Sequence, residues 1–297
     1  MSVPERAEGA LLDRARTRPR VPLDDLVGLG GVLVIAPHPD DETLGCGLAI
    51  RAALASGRDV GVLLLTGGGN SHPASRSHPP EAMKTLRRNE FARALAALSD
   101  GLEPAADAAG GDPGRLVQRT LDLPDGSVPH GADGLRDAIA EARDLAHEIA
   151  ASALWCTWSG DPHADHLAAS YLADMVGADW HGAPPLRRDY AVWGRFRDAG
   201  RDVAADRVLP FDAPEHRAAK RAAMDAYASQ LTPLIADDPT GFVMPRALVD
   251  HFASEPEVFL LPERDGDRPW GDDVRPCPFE CDPRPLPCAR RGTRVEA

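Results

Sequence analysis

Two short segments of this chain concentrate histidine and carboxylate side chains. Residues 37–42 read Pro-His-Pro-Asp-Asp-Glu, and residues 161–166 read Asp-Pro-His-Ala-Asp-His. Acids crowded in this way are costly to hold together unless a positive charge lies among them. His and carboxylate ligands that leave one position open suit a catalytic Zn²⁺, and Fe²⁺ tolerates a similar set. The two segments therefore predict a divalent metal site, and the residue types leave Zn²⁺ and Fe²⁺ both open.

Each of these segments follows a strand-like run and opens a helical pattern. The first lies between the apolar run 32–36 and a helical pattern over 42–55, and the second between the runs 153–158 and 167–176. Open α/β sheets place their ligand sites at the carboxyl ends of parallel strands. We therefore expect the two turns to meet at neighbouring strand ends of one sheet.

The rest of the pattern alternates in the same way. Further strands are predicted at 60–66, 117–123 and 190–193, and further helices at 81–98, 134–151 and 213–230. This alternation predicts an α/β fold, a Rossmann-like three-layer sandwich with a mostly parallel sheet. The first turn lacks the Gly-x-Gly-x-x-Gly fingerprint, since Gly45 and Gly47 lie inside the helix, so a nucleotide-dependent oxidoreductase is disfavoured.

The periodic pattern does not extend over the whole chain. Residues 1–26 are polar and without sustained periodicity, which predicts an N-terminal arm, and residues 27–262 form the predicted α/β domain. Residues 99–113 are rich in Ala and Gly and predict a surface connection. Residues 263–297 are rich in Asp, Arg, Pro and Cys without apolar spacing, which predicts an irregular tail.

The five cysteines fall into two groups. Cys46 and Cys156 lie in or beside predicted buried elements and are expected to be reduced core thiols. Cys277, Cys281 and Cys288 cluster in the tail with a spacing that matches none of the paired zinc-ribbon patterns. The tail cysteines therefore suggest neither a metal site nor a disulfide framework.

Charge and hydropathy narrow the class of partner. The net charge of −13 and a pI near 5.2 argue against nucleic acid or an anionic membrane surface as the main partner. No apolar run approaches the roughly 20 residues that span a bilayer, and the first residues show no signal-peptide pattern. We expect a cytoplasmic protein that acts on a small molecule or glycoconjugate, and the sequence leaves its oligomeric state open.

The two motifs, in this order and on these turns, resemble those of the PIG-L or LmbE-like family of metal-dependent N-deacetylases, which act on N-acetylglucosamine conjugates. The resemblance covers residues 30 to 260 in round numbers. It implies that His38, Asp41 and His166 bind the metal and that Asp40 is the general base on the bound water. It also implies that His163 faces the developing oxyanion or protonates the leaving amine.

The same resemblance gives roles to nearby residues. Asp165 is implied to orient an imidazole, and Glu42 fits a helix-capping role beside the metal site. Some relatives carry a Tyr where this chain has Asp161, so a Tyr role does not carry over. The segment that begins at Ser71 and His72 resembles a lid particular to a subgroup.

Substrate contacts are implied less sharply. Arg87 and Glu90 match an Arg-x-x-Glu pattern whose Arg faces the sugar site, and a helix-surface salt bridge is the alternative. Asp125 matches an acidic turn that binds sugar hydroxyls, and ordinary turn chemistry is its alternative. Lys220 and Gln230 resemble a family helix whose Gln lies near the site, and a solvated helix face is the alternative.

The leading hypothesis from these residues is a zinc-dependent hydrolase that removes the N-acetyl group from an N-acetylglucosamine-type conjugate. Its substrate would be a glycan, a glycolipid or a glycosylated metabolite. One alternative keeps the metal and the water but acts on another N-acyl or thiol-conjugate amide. The third hypothesis is a non-catalytic sugar-binding module. Such a module has little need for the general base Asp40.

Overall fold

A computed structural model describes residues 4–102, 112–180, 182–196 and 203–263 of the chain. Its helices are α1 Ala10–Thr17, α2 Asp41–Ala55, α3 Pro80–Ser99, α4 Arg136–Glu148, α5 Ala164–Ala178, α6 Arg217–Asp225, α7 Ala228–Leu231 and α8 Arg246–Ser254. Its strands are β1 Gly31–Ala36, β2 Val60–Thr66, β3 Leu116–Leu123, β4 Ala151–Thr157, β5 Leu186–Tyr190, β6 Val208–Phe211 and β7 Glu257–Leu260.

The strands form one sheet in the order β3-β2-β1-β4-β5-β7-β6. Strand β1 pairs in parallel with both β2 and β4, whereas β7 runs antiparallel to β5 and β6. The predicted α/β sandwich with a mostly parallel sheet is confirmed. Chain order reverses at the β1–β4 pair, and open α/β sheets place their ligand crevice at such a reversal.

Strand β1 shows why the central strands read as continuous apolar runs. Val32 and Val34 face a core shared with α2, α3, α6 and α8, while Leu33 and Ile35 face a second core shared with α4 and α5. All four side chains are fully buried. A parallel strand covered by helices on both faces needs apolar residues at every position.

Helix α2 is broken at Cys46, whose backbone angles are non-helical (φ −144°, ψ 22°). The buried carboxylate of Glu257 accepts the backbone N–H groups of Leu48 and Ala49, which begin the second half of the helix. Lys220 donates to the Leu44 carbonyl at 3.1 Å and to Glu257 at 2.7 Å. These bonds satisfy backbone groups that the break leaves open, and they fix the direction of the first turn of α2.

The elements predicted between residues 31 and 178 are present with small shifts of their ends. The predicted strand at 190–193 lies earlier, at β5, and Trp193–Arg195 form a 3₁₀ turn. The single helix predicted over 213–230 is wrong, since α6 ends at Asp225 and α7 is a separate turn. Ser229 gives its backbone N–H to the side chain of Glu90 at 2.9 Å, which prevents a continuous helix there.

The predicted N-terminal arm lacks sustained periodicity in the sequence, but its residues 10–17 form helix α1. Leu11, Leu12 and Ala15 of this helix are buried, and Leu11 and Ala15 share a core cluster with Trp158 and Val208. Their spacing lies on one helical face, a short pattern that the surrounding charges obscure in the sequence.

Several predictions lie outside the described residues, namely those for 103–111 of the surface connection and for the tail from 264 onward with its three cysteines. Cys46 and Cys156 are buried free thiols, as predicted. None of the helices in the described ranges has the length and hydropathy needed to span a lipid bilayer.

His251 on α8 should make stability depend on pH. Burial, reinforced by the positive charge of Arg195, lowers the pKa of His251 to about 3. In the unfolded state His251 has a pKa near 6.5, so it binds a proton at a pH where the folded state does not. The free energy of unfolding therefore falls as the pH drops below about 6.5. At pH 4.5 this contribution amounts to about 2–3 kcal/mol.

Denaturant unfolding of His251→Leu between pH 7.5 and 4.5 measures this effect. The variant should lose less stability on acidification than the wild type, by the amount given above. His147→Leu, at an exposed position of α4, is the control and should parallel the wild type. Equal acid sensitivity of wild type and His251→Leu would assign the proton uptake to other groups.

Candidate metal centre

The two motif turns lie side by side at the carboxyl ends of β1 and β4. Asp40 is the N-cap residue of α2 and His163 is the N-cap residue of α5. The parallel register that pairs Ile35 with Cys156 brings the following residues of both strands to the same edge. His38, Asp41 and His166, separated by more than a hundred residues in sequence, therefore lie within one cluster.

His38 is held by two carboxylates on opposite sides of its ring. Its Nε2 lies 2.9 Å from Asp165 Oδ2, and its Nδ1 lies 3.0 Å from Asp41 Oδ2. Asp165 in turn accepts the backbone N–H groups of Gly126 at 2.7 Å and Val128 at 3.0 Å. Because Asp165 is fixed in this way, it orients the His38 ring by accepting a hydrogen bond from Nε2–H.

His166 is oriented by Asp161, a contact that the sequence reasoning missed. His166 Nδ1 lies 2.9 Å from Asp161 Oδ2, and the same carboxylate accepts backbone N–H groups from Val192 at 3.0 Å and Trp193 at 3.3 Å. The position of Asp161 directly before the second motif was its only sequence signal. These bonds place the Nδ1 proton of His166 toward Asp161 and leave Nε2 as a lone pair.

One nitrogen of each imidazole therefore lies close to the same carboxylate oxygen. Asp41 Oδ2 lies 3.0 Å from His38 Nδ1 and 3.2 Å from His166 Nε2. The His166 Nε2 atom is buried and has no hydrogen-bond partner. Asp41 Oδ2 also accepts the backbone N–H of His38 at 3.0 Å. In the neutral rings the two imidazole nitrogens beside it lack a donor, and a divalent cation satisfies both of them together with the carboxylate. The donor set thus fits Zn²⁺ or Fe²⁺.

The carboxylates around the imidazoles also favour a bound cation. Burial lowers the pKa of His166, but Asp41 and Asp161 outweigh it and raise the pKa to about 9. Burial also lowers the pKa of His38. The carboxylates of Asp125, Asp165 and Asp41 outweigh burial and raise this pKa well above its usual value. The site therefore attracts positive charge, as protons on the rings or as a metal ion.

Two groups of potential metal ligands in the described residues have all their ligand atoms within 4.8 Å of one another, and neither includes Asp41. One combines His38 with His163 and His166, and the other combines it with Asp125 and Asp165. In the second group both Asp165 oxygens accept backbone N–H groups, as Asp41 Oδ2 accepts that of His38.

Asp40 lies beside the cluster, and its carboxylate points to an arginine. Asp40 Oδ2 accepts a hydrogen bond from Arg87 Nη2 at 3.2 Å, and the same nitrogen donates to the Pro39 carbonyl at 2.6 Å. Burial raises the pKa of Asp40, Arg87 opposes that shift, and the result is a pKa of about 8. A carboxylate of raised pKa that no imidazole engages is suited to accept a proton.

A cavity of about 310 Å³ opens beside these groups. It combines polar side chains with an aromatic pair, Trp193 and Phe242, whose ring centroids lie 5.8 Å apart. Its lining comprises His38, Asp40, Asp41, Asn70, Ser71, Arg87, Asp125, Gly126, His163, Trp193, Gln230 and Phe242. All the predicted site residues except Asp165 and His166, which are fully buried behind it, line this cavity.

His163 presents one nitrogen to the cavity. Its Nδ1 accepts the backbone N–H of Asp165 at 3.2 Å, so the ring proton resides on Nε2. Burial lowers the pKa of His163 to about 4, with His166 and His38 adding to the shift. The ring is thus a neutral hydrogen-bond donor at neutral pH.

The predicted substrate contacts can now be placed. Arg87 and Asp125 both line the cavity. The alternative of a surface salt bridge for Arg87 and Glu90 is wrong, since both are buried and bind different partners, Arg87 at Asp40 and Glu90 at Ser229. Asp125 Oδ1 lies 3.4 Å from His38 Nε2, and its Oδ2 accepts the Asn70 N–H at 2.7 Å.

Lys220, Gln230 and His72 also differ from the plainer alternatives. Lys220 and Gln230 are buried, so the solvated helix face is wrong for both, and Gln230 lines the cavity. His72 is buried as well, with its ring against Gly241. Trp193 and Phe242 lacked a sequence signal because they come from segments outside both motifs.

The comparison with family models matches residues 33–176 to the PIG-L family, described as GlcNAc-PI de-N-acetylase. The matched range runs from β1 to α5 and contains both motifs. This part of the chain is a PIG-L family domain. The chain that follows the matched range also contributes to the cavity of the PIG-L domain. Trp193 comes from the 3₁₀ turn after β5, Gln230 from α7, and Phe242 from the segment between α7 and α8. A comparison with curated proteins found no match.

Solved structures share the fold at low identity. The N,N′-diacetylchitobiose deacetylase from Pyrococcus horikoshii is 17% identical, with a TM-score of 0.55 over 85% of this chain and 90% of its own. The A40926 pseudoaglycone deacetylase Dbv21 is 19% identical, with a TM-score of 0.55 over 78% and 96%. The 4-carboxy-2-hydroxymuconate hydratase GalB from Pseudomonas putida is 17% identical, with a TM-score of 0.53 over 75% and 83%. The PIG-L domain therefore has a fold that also carries other chemistry.

Proposed function

We propose that this protein is a metal-dependent hydrolase that removes the N-acetyl group from an N-acetylglucosamine-type conjugate. The observation that carries the proposal is that His38 Nδ1 and His166 Nε2 both lie within 3.2 Å of Asp41 Oδ2, beside the carboxyl group of Asp40 that Arg87 binds. The PIG-L domain, whose family is described as a de-N-acetylase, supports the same reaction class.

His38 Nδ1, Asp41 Oδ2 and His166 Nε2 are the atoms that would hold the cation. When bound, a divalent ion such as Zn²⁺ lowers the pKa of a coordinated water toward about 7 and polarises an amide carbonyl. Asp165 and Asp161 keep the two imidazoles turned with the correct nitrogen toward the ion.

Asp40 and His163 supply the proton acceptor and the hydrogen-bond donor that the reaction needs. Asp40 accepts the proton of the attacking water, since its carboxylate lines the cavity and its pKa is raised. His163 Nε2–H donates a hydrogen bond to the carbonyl oxygen as negative charge develops there. The amine needs a proton before it leaves, and the proton collected by Asp40 is the available source.

The cavity favours an amino sugar over a larger amide. Its volume of about 310 Å³ lies at the lower end of the range of about 300–1,000 Å³ for small-molecule sites. Arg87 and Asp125 offer a donor and an acceptor for hydroxyl groups, and Trp193 and Phe242 offer an aromatic surface for the apolar face of a ring. One sugar residue with its acetamide fits these features, and the rest of the conjugate would lie outside.

The names of two structural neighbours also support deacetylation, because one is an N,N′-diacetylchitobiose deacetylase and the other is an A40926 pseudoaglycone deacetylase. An amidase for another N-acyl or thiol-conjugate substrate would use the same metal and base, so it remains the second candidate. Only the substrate separates the two.

A substrate panel tests the proposal. N-acetylglucosamine conjugates with sugar, lipid and nucleotide aglycones are assayed for free amine and acetate with Zn²⁺ and with Fe²⁺, beside simple N-acyl amides and thiol conjugates. We expect turnover on at least one sugar conjugate. Turnover confined to the non-sugar amides would replace the deacetylase by the amidase, and no turnover on any amide would contradict both.

A further inference from the structure

The backbone of Asp40 adopts a conformation that L-residues rarely take. Its φ of 121° and ψ of −29° lie outside the regions favoured by side-chain sterics. Within the described part of the chain, Ala150 is the other non-glycine residue with a positive φ. Such a conformation persists only where the surrounding structure holds it, and here it occurs at the residue that the proposed function makes the base.

Two contacts hold this conformation, one on the backbone and one on the side chain. The backbone N–H of Asp40 donates to Glu42 Oε2 at 3.2 Å. On the other side, Arg87 Nη2 binds both the Pro39 carbonyl and Asp40 Oδ2. Glu42 therefore sets the peptide plane of Asp40, and Arg87 sets the direction of its carboxylate.

The Glu42 contact leads to a short segment, residues 227–229, at the start of α7. Tyr227 donates its hydroxyl hydrogen to Glu42 Oε1 at 2.6 Å. Ser229 donates its N–H at 2.9 Å and its hydroxyl at 2.6 Å to Glu90, which lies on α3 one turn after Arg87. Tyr227 is 1% exposed, and Glu42, Glu90 and Ser229 are fully buried. Solvent water therefore does not reach these side chains and would not replace a hydrogen-bond donor that is removed.

We propose that Tyr227 is a positioning residue for Asp40 and that it acts through Glu42. This inference rests on the proposed function, because Asp40 matters only as the base. If the Tyr227 donor is removed, the Glu42 carboxylate turns toward its remaining donors and its bond to the Asp40 N–H weakens. The Asp40 backbone then relaxes toward negative φ, and the carboxylate moves away from the cavity.

A matched pair of Tyr→Phe variants tests this role. Tyr227→Phe should lower kcat for acetate release about 10- to 100-fold with KM and zinc content little changed. Tyr190→Phe is the control, since Tyr190 is also buried, packs against Gly45 of α2 and donates its hydroxyl to the Ile35 carbonyl at 2.8 Å. Its kcat should stay within about threefold of the wild type, since it makes no contact with Glu42.

Two further measurements separate positioning from a general loss of structure. In the metal-free protein, hydrogen exchange of the Asp40 amide should be faster in Tyr227→Phe and unchanged in Tyr190→Phe. In an Asp40→Asn background, Tyr227→Phe should cause no further loss of kcat, because it acts through Asp40. Equal kcat losses in the two Tyr variants, or an additive loss on Asp40→Asn, would overturn the positioning role. Absence of any deacetylation by the wild type, with faster Asp40 exchange in Tyr227→Phe, would instead reject the proposed function alone.

Discussion

Asp40→Asn is expected to lower kcat for deacetylation by about 10²- to 10⁴-fold. Asparagine has nearly the shape of aspartate and can still accept the hydrogen bond from Arg87, but it cannot take a proton from water. The carboxylate makes no contact with His38 or His166 in the arrangement described above, so the loss should come from proton transfer and leave the metal site intact. The protein should therefore remain folded and bind zinc as the wild type does.

Steady-state kinetics and metal analysis of the purified variants test this expectation together. Asp133→Asn, which makes the same chemical change at an exposed position beside Arg136, is the control and should keep full activity. If Asp40→Asn retains kcat within about threefold of the wild type, Asp40 is not the base. If the variant loses zinc together with activity, Asp40 is a ligand.

Asp41→Asn is expected to abolish activity by a different route, the loss of the metal. The carboxylate is the charged member of the three-atom set, and its Oδ2 lies within 3.2 Å of both imidazole nitrogens. An amide oxygen in its place carries no charge to offset that of the cation. We expect zinc affinity to fall by about 100-fold or more, with activity falling in parallel.

Zinc titration of the metal-free protein, followed by thermal unfolding, measures this loss. Zinc should raise the Tm of the wild type, because a ligand that binds only the folded state stabilises that state. At a free zinc concentration of 100 times Kd, the free energy of unfolding rises by about 2.7 kcal/mol. Asp41→Asn should show little of this shift, and Asp250→Asn, on the exposed side of α8, should show all of it. An undiminished zinc shift in Asp41→Asn would remove Asp41 from the ligand set.

The sequence predicted the half of the fold that carries the motifs. Central parallel strands are buried on both faces, so runs such as 32–36 are apolar at every position and easy to recognise. Strand β7 and strand β6 were missed because they are only four residues each and are flanked by short turns. The break after Asp225 was missed because the cause, a buried Glu90 that takes the Ser229 N–H, lies more than a hundred residues away.

In the site, too, the sequence predicted residues in the motifs and missed some that act through contacts with other side chains. His38, Asp41 and His166 stand in two compact motifs, so their convergence follows from the positions of two adjacent strand ends. Asp161 bonds to His166 and Tyr227 bonds to Glu42, and neither residue type by itself indicates such a partner. Sequence spacing can indicate which turns meet, but side-chain packing decides which buried groups hydrogen-bond there.

The arrangement of the metal is the central claim, and anomalous scattering at the zinc edge from zinc-loaded crystals tests it most directly. We predict one strong peak within about 2.0–2.2 Å of His38 Nδ1, Asp41 Oδ2 and His166 Nε2, with Asp40 outside the coordination shell. A peak bound instead by His38 Nε2, Asp125 and Asp165, or the absence of any peak near these residues, would contradict it.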